Sequence, residues 1–331
     1  MTENHVGYPV VENESSTKRC ISVVMVTYNS RDLLSESLKP LVDASEFQII
    51  VVDNASHDGT ADHIKKTYPS VLLIQSVVNL GFAKAVNIGA KAALGDTIVL
   101  LNPDAIVGID SIMSLDSTLK ESTQIGVVAP LLEHPELNLS VREAGMQPSL
   151  WRIFCHYSGL SRVLPQHSLF RGLYVLRRDH FSSTDVEWVS GACMAVPRAV
   201  WTRENGLTER WFMYAEDVEF CMRVRRSGLR VVLSSESSGV HGLGKSSSVA
   251  DKAPGTEWMV NLYELYKSDI ASSRIQNIGW KYVFAVGMLT RAIAHGVRAV
   301  VRRENFNSDP NYKRFMFYSR EILRVSSAVG K

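Results

Sequence analysis

No Cys-x-x-Cys pair occurs in the chain; the four cysteines, Cys20, Cys155, Cys193 and Cys221, are scattered along it. They read as small apolar thiols in a reduced compartment rather than as a disulfide framework. The first nineteen residues, MTENHVGYPVVENESSTKR, lack the basic-then-apolar order of a signal peptide and read as a loose tail, 1–19. An uninterrupted apolar run of roughly 18 residues, which a membrane span requires, is missing. The nearest, Tyr282 to Leu289, soon meets Arg291, His295 and Arg298, so the expectation is a chain that lies on a membrane rather than crossing one. A net charge of only +2 argues against a general nucleic-acid binder. Finally, the first apolar run is followed by TYNSRD, without the G-x-G-x-x-G turn that lets backbone approach a pyrophosphate, which disfavours a nicotinamide oxidoreductase.

What is present is the composition of an ordinary α/β protein of 331 residues, 45% hydrophobic and 21% charged. Apolar, β-branched runs begin at Ile21 (ISVVMVT), Phe47 (FQIIVVD), Ser70 (SVLLIQS) and Thr97 (TIVLLN). The gaps hold RDLLSESLKPLV, GTADHIKKTY and GFAKAVNIGAKAAL, in the last of which Phe82, Val86, Ala90 and Ala93 repeat on one face. Continuous apolar strands alternating with amphipathic helices predict a mostly parallel sheet covered on both sides. Ligands of such sheets sit at the strands' carboxyl ends. The residues there are Thr27-Tyr28-Asn29-Ser30, Asp53-Asn54-Ala55-Ser56, Asn79-Leu80-Gly81-Phe82 and Asn102-Pro103-Asp104.

Patterning blurs from Leu131 to Glu187. A strand from Trp188 to Val196, interrupted by Gly191 and stopped by Pro197, is followed by a helix that opens with Glu216 and Asp217 and ends at Gly228. A last strand, LRVVLSS, leads to a small-residue loop containing His241. Beyond Pro254 the chain turns helical and basic, carrying net +8 from Arg274 onward. There Arg291, His295, Arg298 and Arg302 share one helix face, and Val286, Leu289, Ile293, Val297 and Val300 are available to fill the other. Two readings stand: a helix packed on the catalytic domain with a solvated basic side, or an interfacial helix on anionic lipid.

The ordered blocks VVMVTYNS, IIVVDNASHDGT, NLGFAKAVNIG, LLNPDA, WVSGACMAV, FMYAEDVEFCMRVRRSG and VH resemble the family 2 inverting glycosyltransferases of GT-A fold, more narrowly their bacterial rhamnosyltransferase-like branch. The resemblance covers about Ile21 to Gly244. It implies an α/β GT-A domain, Rossmann-like, over 20–250, with a nucleotide-binding half (20–130), an acceptor and catalytic half (131–250), and a basic helical extension (251–331). It implies transfer of L-rhamnose from dTDP-L-rhamnose to a polyprenyl-diphosphate-linked or polysaccharide acceptor in cell-envelope glycan synthesis, in the cytoplasm or on the inner face of its membrane. A UDP-sugar donor such as UDP-galactofuranose, and a non-catalytic sugar-nucleotide or glycan-binding module, are the alternatives. Oligomeric state is not legible.

Carried over residue by residue, the resemblance sets Thr27, Tyr28 and Asn29 beside base and ribose, with Asp53 on a pyrimidine edge and Asn54 close by; a turn cap is the other reading of Asp53. Asn79, Gly81 and Phe82 wall the ribose and diphosphate, although Phe82 also suits the core. Asp104 and His241 are implied ligands of Mg²⁺ or Mn²⁺. Asn102 stands where many members have an aspartate, which leaves the site one carboxylate short. Asp217 matches the catalytic base, which an inverting displacement needs to deprotonate the acceptor hydroxyl. Glu216, Trp188, Ser190 and Gly191 match the block lining sugar and acceptor, with a bulge as the alternative for Gly191. With diphosphate and Glu216 close, the pKa of Asp217 is expected to be raised.

Overall fold

The structure, a computed structural model, describes residues 21–134, 141–165, 167–176, 182–242, 255–303 and 305–326. The expected tail at 1–19, Cys20, the 250/251 boundary and the small-residue loop after Gly242 lie outside the described residues. The first half runs β1 (Ile21–Thr27), α1 (Leu34–Ser37), α2 (Lys39–Val42), β2 (Phe47–Asn54), α3 (Thr60–Thr67), β3 (Leu72–Ser76), α4 (Phe82–Lys91) and β4 (Thr97–Leu101). β1, β2 and β4 are buried almost throughout because helices cover both faces of the sheet, so their apolar runs are unbroken. RDLLSESLKPLV forms two short helices instead of one, with Pro40 in the first turn of α2, where its missing N–H is tolerated.

The chain continues through β5 (Ala105–Val107), α5 (Ile109–Glu121), β6 (Ile125–Glu133), β7 (Val141–Gly145), α6 (Leu150–Ser158), α7 (Leu160–Val163), β8 (Tyr174–Leu176), β9 (Thr184–Val186), β10 (Trp188–Val189), β11 (Cys193–Pro197), α8 (Arg198–Arg203), α9 (Glu216–Arg226) and β12 (Arg230–His241). Among the described residues the main sheet has nine strands, in the order β3-β2-β1-β4-β11-β6-β12-β5 with β9 on β12. β3 to β4 pair in parallel as expected, whereas β11, β5 and β9 run antiparallel to their neighbours. The single strand expected over Trp188 to Val196 is two: β10 belongs to a small sheet with β7 and β8, and β11 enters the main sheet. Gly191 sits at the crossing between them.

β12 also departs from expectation. It extends to His241, which ends a strand instead of sitting in a loop, and a register shift between Leu233 and Ser238 re-aims its second half. That half pairs antiparallel with β5, His241 opposite Ala105, which brings the imidazole beside Asp104.

Three helices close the chain, α10 (Glu257–Leu265), α11 (Arg274–Val301) and α12 (Pro310–Arg324). They do not stand apart: Trp280, Tyr263, Phe284 and Ile322 share one core with Ile153 and Leu173, and the Trp280 indole donates to the Pro148 carbonyl at 2.8 Å. α11 corrects the sequence reading of its faces. Val286, Ile293, Val297 and Val300 are more than half exposed, while Arg291 lies over the Tyr157 ring at 4.4 Å and His295 meets Asp309. The side packed inward is built instead from Trp280, Phe284, Ala285, Gly287, Met288, Ala292 and Ala299. By length and composition alone this helix is apolar enough to cross a membrane, a test met without an unbroken apolar run; a third of the stretch is buried inside the fold.

Candidate functional site

The predicted nucleotide-side residues do converge on the carboxyl ends of β1, β2, β3 and β4, but largely by binding one another. Parallel register sets Thr27 against Asp53, and the Thr27 hydroxyl donates to Asp53 Oδ1 at 3.0 Å. Ser56 donates to the same carboxylate through Oγ (2.5 Å) and N–H (3.2 Å), so Asp53 anchors the turn that follows β2. This is the turn-capping role, and the geometry gives the carboxylate that role whatever else it touches. Asn29, at φ 51°, accepts from His57 N–H at 2.8 Å, and Tyr28 beside it is half-buried. Asn54 is a staple: its Nδ2 donates to Asn79 Oδ1 (2.9 Å) and the Gly81 carbonyl (3.1 Å), and its Oδ1 accepts from Leu80 N–H (2.8 Å).

Gly81 has φ +82°, and a Cβ there would lie 2.4 Å from the Phe212 carbonyl oxygen. The next residue, Phe82, donates its N–H to that oxygen at 2.8 Å. The Phe82 ring is partly buried against the core and also meets Gly191, whose added Cβ would be 3.2 Å from it. Both readings of Phe82 therefore apply. Gly191 is a point of close approach, and it is also where the chain leaves one sheet for the other.

Across the sheet edge, the turn Asn102 to Ala105 is closed by Ala105 N–H donating to the Asn102 carbonyl (3.0 Å), and Asn102 N–H is tied to Ala192 (2.8 Å). Asp104 is buried; its carbonyl accepts from Gly242 N–H at 2.8 Å, and its Oδ1 is 3.3 Å from His241 Nε2. The other ring nitrogen of His241, Nδ1, is 2.8 Å from Glu143 Oε2. Burial alone disfavours the imidazolium, but hydrogen bonds to Asp104 and Glu143 outweigh it and push His241 up to about 9. His134 is the fourth member: Nδ1 is 2.9 Å from the His241 carbonyl, and Nε2 is 4.0 Å from Glu143. His134, Glu143 and His241 each present a ligand atom within 4.8 Å of the others. His134 Nε2 is buried with no hydrogen-bond partner among the described residues, so the donor set fits a divalent cation.

Asp217 lies in the first turn of α9 behind Tyr214 (φ 72°) and Ala215 (φ 78°), a tight entry that aims its carboxylate back at Gly191. Gly191 N–H donates to Oδ2 at 2.9 Å and Val218 N–H to Oδ1 at 2.7 Å. Burial raises its pKa against the pull of these two N–H groups, and the Glu143 carboxylate raises it further. Glu216 is buried with Oε2 unpartnered among the described residues; burial and the neighbouring Asp217 charge push it up to about 8. Ser190 N–H donates to the Glu143 carbonyl at 3.0 Å, which draws that block onto the same cluster. Trp188 behaves differently: it is buried and its indole N–H is taken by the Met146 carbonyl at 3.0 Å, so it supports the site from the core.

Sequence reasoning passed over Glu143, His134 and Tyr174. Glu143 and Tyr174 lie on short strands of the small sheet, inside the stretch without clear period; the one signal was the brief alternation in VREAG. Burial pushes Tyr174 up to about 12, and the carboxylates of Asp217 and Glu143 add to this, which places its hydroxyl in the electrostatic reach of both.

A curled mixed sheet flanked by helices is the architecture of a GT-A-like fold, and comparison with known proteins agrees. Residues 22–171 match Glycosyl transferase family 2, and the chain belongs to that family. It is 31% identical over 221 residues to an N-acetylglucosaminyl-diphospho-decaprenol L-rhamnosyltransferase of Mycobacterium tuberculosis, covering 63% of this chain and 71% of that one. It is 24% identical over 221 residues to Rhamnosyltransferase WbbL of Escherichia coli, covering 64% and 79%. The fold resembles mannosyltransferase PcManGT from Pyrobaculum calidifontis, solved in complex with GDP-Man and Mn²⁺, at TM-score 0.52 and 16% identity over 93% of this chain and 86% of that one. The protein is a glycosyltransferase.

Proposed function

We propose that it is an inverting, cation-dependent rhamnosyltransferase that moves L-rhamnose from dTDP-L-rhamnose to a lipid-linked acceptor, with a polysaccharide as the other acceptor class. One observation carries this reading: Asp217 lies in the field of Glu143, which hydrogen-bonds His241, which in turn faces Asp104. A proton acceptor and a seat for the leaving diphosphate are thus adjacent.

Asp217 is the base in this reading. Each of its oxygens accepts one backbone N–H and keeps a lone pair for the acceptor hydroxyl, and burial keeps it basic enough to take the proton as the bond to the anomeric carbon forms. Asp104 and His241 would hold the cation, which when bound would neutralise the charge left on the nucleoside diphosphate. Gly81 and Phe82 shape the wall on the donor side, and Thr27, Tyr28, Asn29, Asp53, Asn54, Asn79 and Asn102 border the nucleotide on a floor braced by the Thr27–Asp53 and Asn54–Asn79 hydrogen bonds. Ser190, Gly191 and Glu216 line the sugar and acceptor side, with Trp188 behind them.

The C-terminal helices fit a membrane-borne acceptor. Ile275, Tyr282, Val286, Leu289, Ile293, Val297 and Val300 form an exposed stripe along α11, with Arg274 and Arg298 on the same helix and Arg302 at its C-cap. An apolar stripe with cationic neighbours suits the surface of an anionic bilayer, the inner face of the cytoplasmic membrane in this reading. The domain division follows the same logic: 20–250 carries the chemistry and 251–331 brings it to the lipid.

A thermal-shift panel of dTDP- and UDP-sugars, with and without Mn²⁺, tests the donor assignment. dTDP-rhamnose with Mn²⁺ is expected to give the largest stabilisation; a larger one from UDP-galactofuranose would transfer the reading to that donor.

A further inference from the structure

The chain that leads to Asp217 is held residue by residue from Arg210 to Met213. The Arg210 guanidinium donates to Asp269 Oδ2 through both terminal nitrogens (2.9 Å each) and to Ser268 Oγ (2.8 Å). The Trp211 indole N–H donates to Glu264 Oε2 at 3.0 Å, with the Arg210 guanidinium 4.4 Å over its ring. The Phe212 carbonyl accepts from Phe82 N–H at 2.8 Å, and the Met213 carbonyl accepts from Asn261 Nδ2 at 2.7 Å. Phe82 apart, every hold comes from the C-terminal helices: Asn261 and Glu264 lie on α10, and Ser268 and Asp269 on the π turn that follows it, Tyr266–Ile270. Such turns are rare and cluster at functional sites.

These holds stop where the backbone becomes strained. Directly after Met213 come Tyr214 (φ 72°) and Ala215 (φ 78°). Residues other than glycine adopt that region rarely, and it persists only where the surroundings fix the chain on either side. On the far side, Asp217 takes the Gly191 and Val218 N–H groups, and Arg226 at the end of α9 donates to the Asp269 carbonyl at 3.0 Å. Asn261 is thus the last hold before the strained pair. It is half-buried and Glu264 is exposed, and neither belongs to the hydrophobic core of these helices, so their bonds supply the placement of the loop rather than packing.

We propose that Asn261 and Glu264 are positioning residues for the reaction: from α10 they hold the 210–215 loop so that Asp217 meets the acceptor hydroxyl. The helical extension proposed to reach the lipid then also sets the base, and the loop is pinned between that extension and the donor-side Phe82. The inference rests on the reading of Asp217 as the base.

Two measurements on the full-length protein test it. One is kcat and donor KM, from dTDP release with dTDP-rhamnose, Mn²⁺ and a polyprenyl-diphosphate N-acetylglucosamine acceptor; the other is amide hydrogen exchange over 210–218 without ligands. Asn261→Ala, and Asn261→Asp, which keeps the shape but loses the donor, are each expected to lower kcat about 10–100-fold with donor KM changed less than about twofold. Exchange of the Val218 N–H is expected to quicken about tenfold or more in both. Glu264→Ala acts in the same direction, and Glu264→Gln, which keeps an acceptor oxygen for the Trp211 indole, restores wild-type behaviour. Ile322→Val, in the buried core of the same helices, is the control: it lowers the melting temperature and leaves kcat and Val218 exchange unchanged. Because Glu264 is exposed, its variants carry the comparison if an Asn261 variant fails to fold. Wild-type kcat and exchange in Asn261→Ala and Glu264→Ala, with Asp217→Asn inactive, overturn the inference and leave the base reading intact. A loss in Ile322→Val that matches theirs does the same. Full activity in Asp217→Asn overturns both.

Discussion

Gly81→Ala strikes the joint between the loop proposed to wall the donor and the loop that leads to the proposed base, Asp217. Gly81 has φ +82° and ψ 174°, a conformation almost confined to glycine, and holding alanine there costs roughly 1–3 kcal/mol. The new Cβ would also sit 2.4 Å from the Phe212 carbonyl oxygen and 3.1 Å from its carbon, both backbone atoms that yield only if the loop moves. Overpacking of that kind costs roughly 1–3 kcal/mol more, for about 2–6 kcal/mol in all. Gly228→Ala is the control: φ is +85° but nothing lies within 4 Å, so only the backbone cost of roughly 1–2 kcal/mol applies. Urea denaturation followed by circular dichroism measures both. Phe212 is followed by Tyr214 and Ala215, both at positive φ, and then by Glu216 and Asp217, so the displacement is passed to the base. A shift of ~1 Å there lowers turnover about 10²-fold. A Gly81→Ala protein with the midpoint of Gly228→Ala and wild-type turnover would refute the role given to this contact.

Asp217→Asn removes the proposed base and is expected to lower kcat about 10²–10⁴-fold. Because burial raises the Asp217 pKa and only the ionised form accepts a proton, kcat/KM should fall as pH drops through a value above the ordinary carboxylate range; an acidic limb unmoved in Asp217→Glu contradicts the assignment. Glu216, held up at about 8 by burial and by Asp217, keeps its proton in the folded state, so its contribution is full below the unfolded carboxylate value of 4.5 and is lost as pH rises toward 8. Glu216→Gln should therefore be more stable than wild type at pH 8–9 in urea, with the difference shrinking toward pH 5. Asp53→Ala leaves the Ser56 N–H and the Thr27 hydroxyl without their acceptor and should destabilise the ligand-free protein by roughly 1–3 kcal/mol; an unchanged melting midpoint would contradict the turn-anchor role. Val286→Glu with Ile293→Glu, at positions 55% and 53% exposed, should abolish co-sedimentation with anionic liposomes without lowering the melting temperature, and retained sedimentation would remove the membrane face.

The sheet core was legible because β1, β2 and β4 are buried on both faces, and a strand hidden on both sides has little choice but an unbroken apolar run. The residues at their ends could be read off for the same reason. His241 was found by family likeness but misplaced locally, since Ser-Ser-Glu-Ser-Ser-Gly looks like a loop and becomes strand only because β5 and β6 pair with it. Glu143 and His134 were hidden by distance: they reach His241 across separations of 98 and 107 residues, and no local period reports such a contact. For α11 the packed reading does not hold as stated, because Trp280, Phe284 and Met288, with small residues beside them, fill the space against α6 and α12, while the exposed Val, Leu and Ile face is the one an interfacial helix needs.

The central claim is that Asp217 deprotonates an acceptor as rhamnose leaves dTDP. It is tested by following dTDP release from dTDP-rhamnose with Mn²⁺ and a polyprenyl-diphosphate N-acetylglucosamine acceptor, in wild type and in Asp217→Asn. Acceptor-dependent release with inverted anomeric configuration in wild type, lowered at least about 10²-fold in the variant, is the predicted result. Equal release by the two proteins would contradict it.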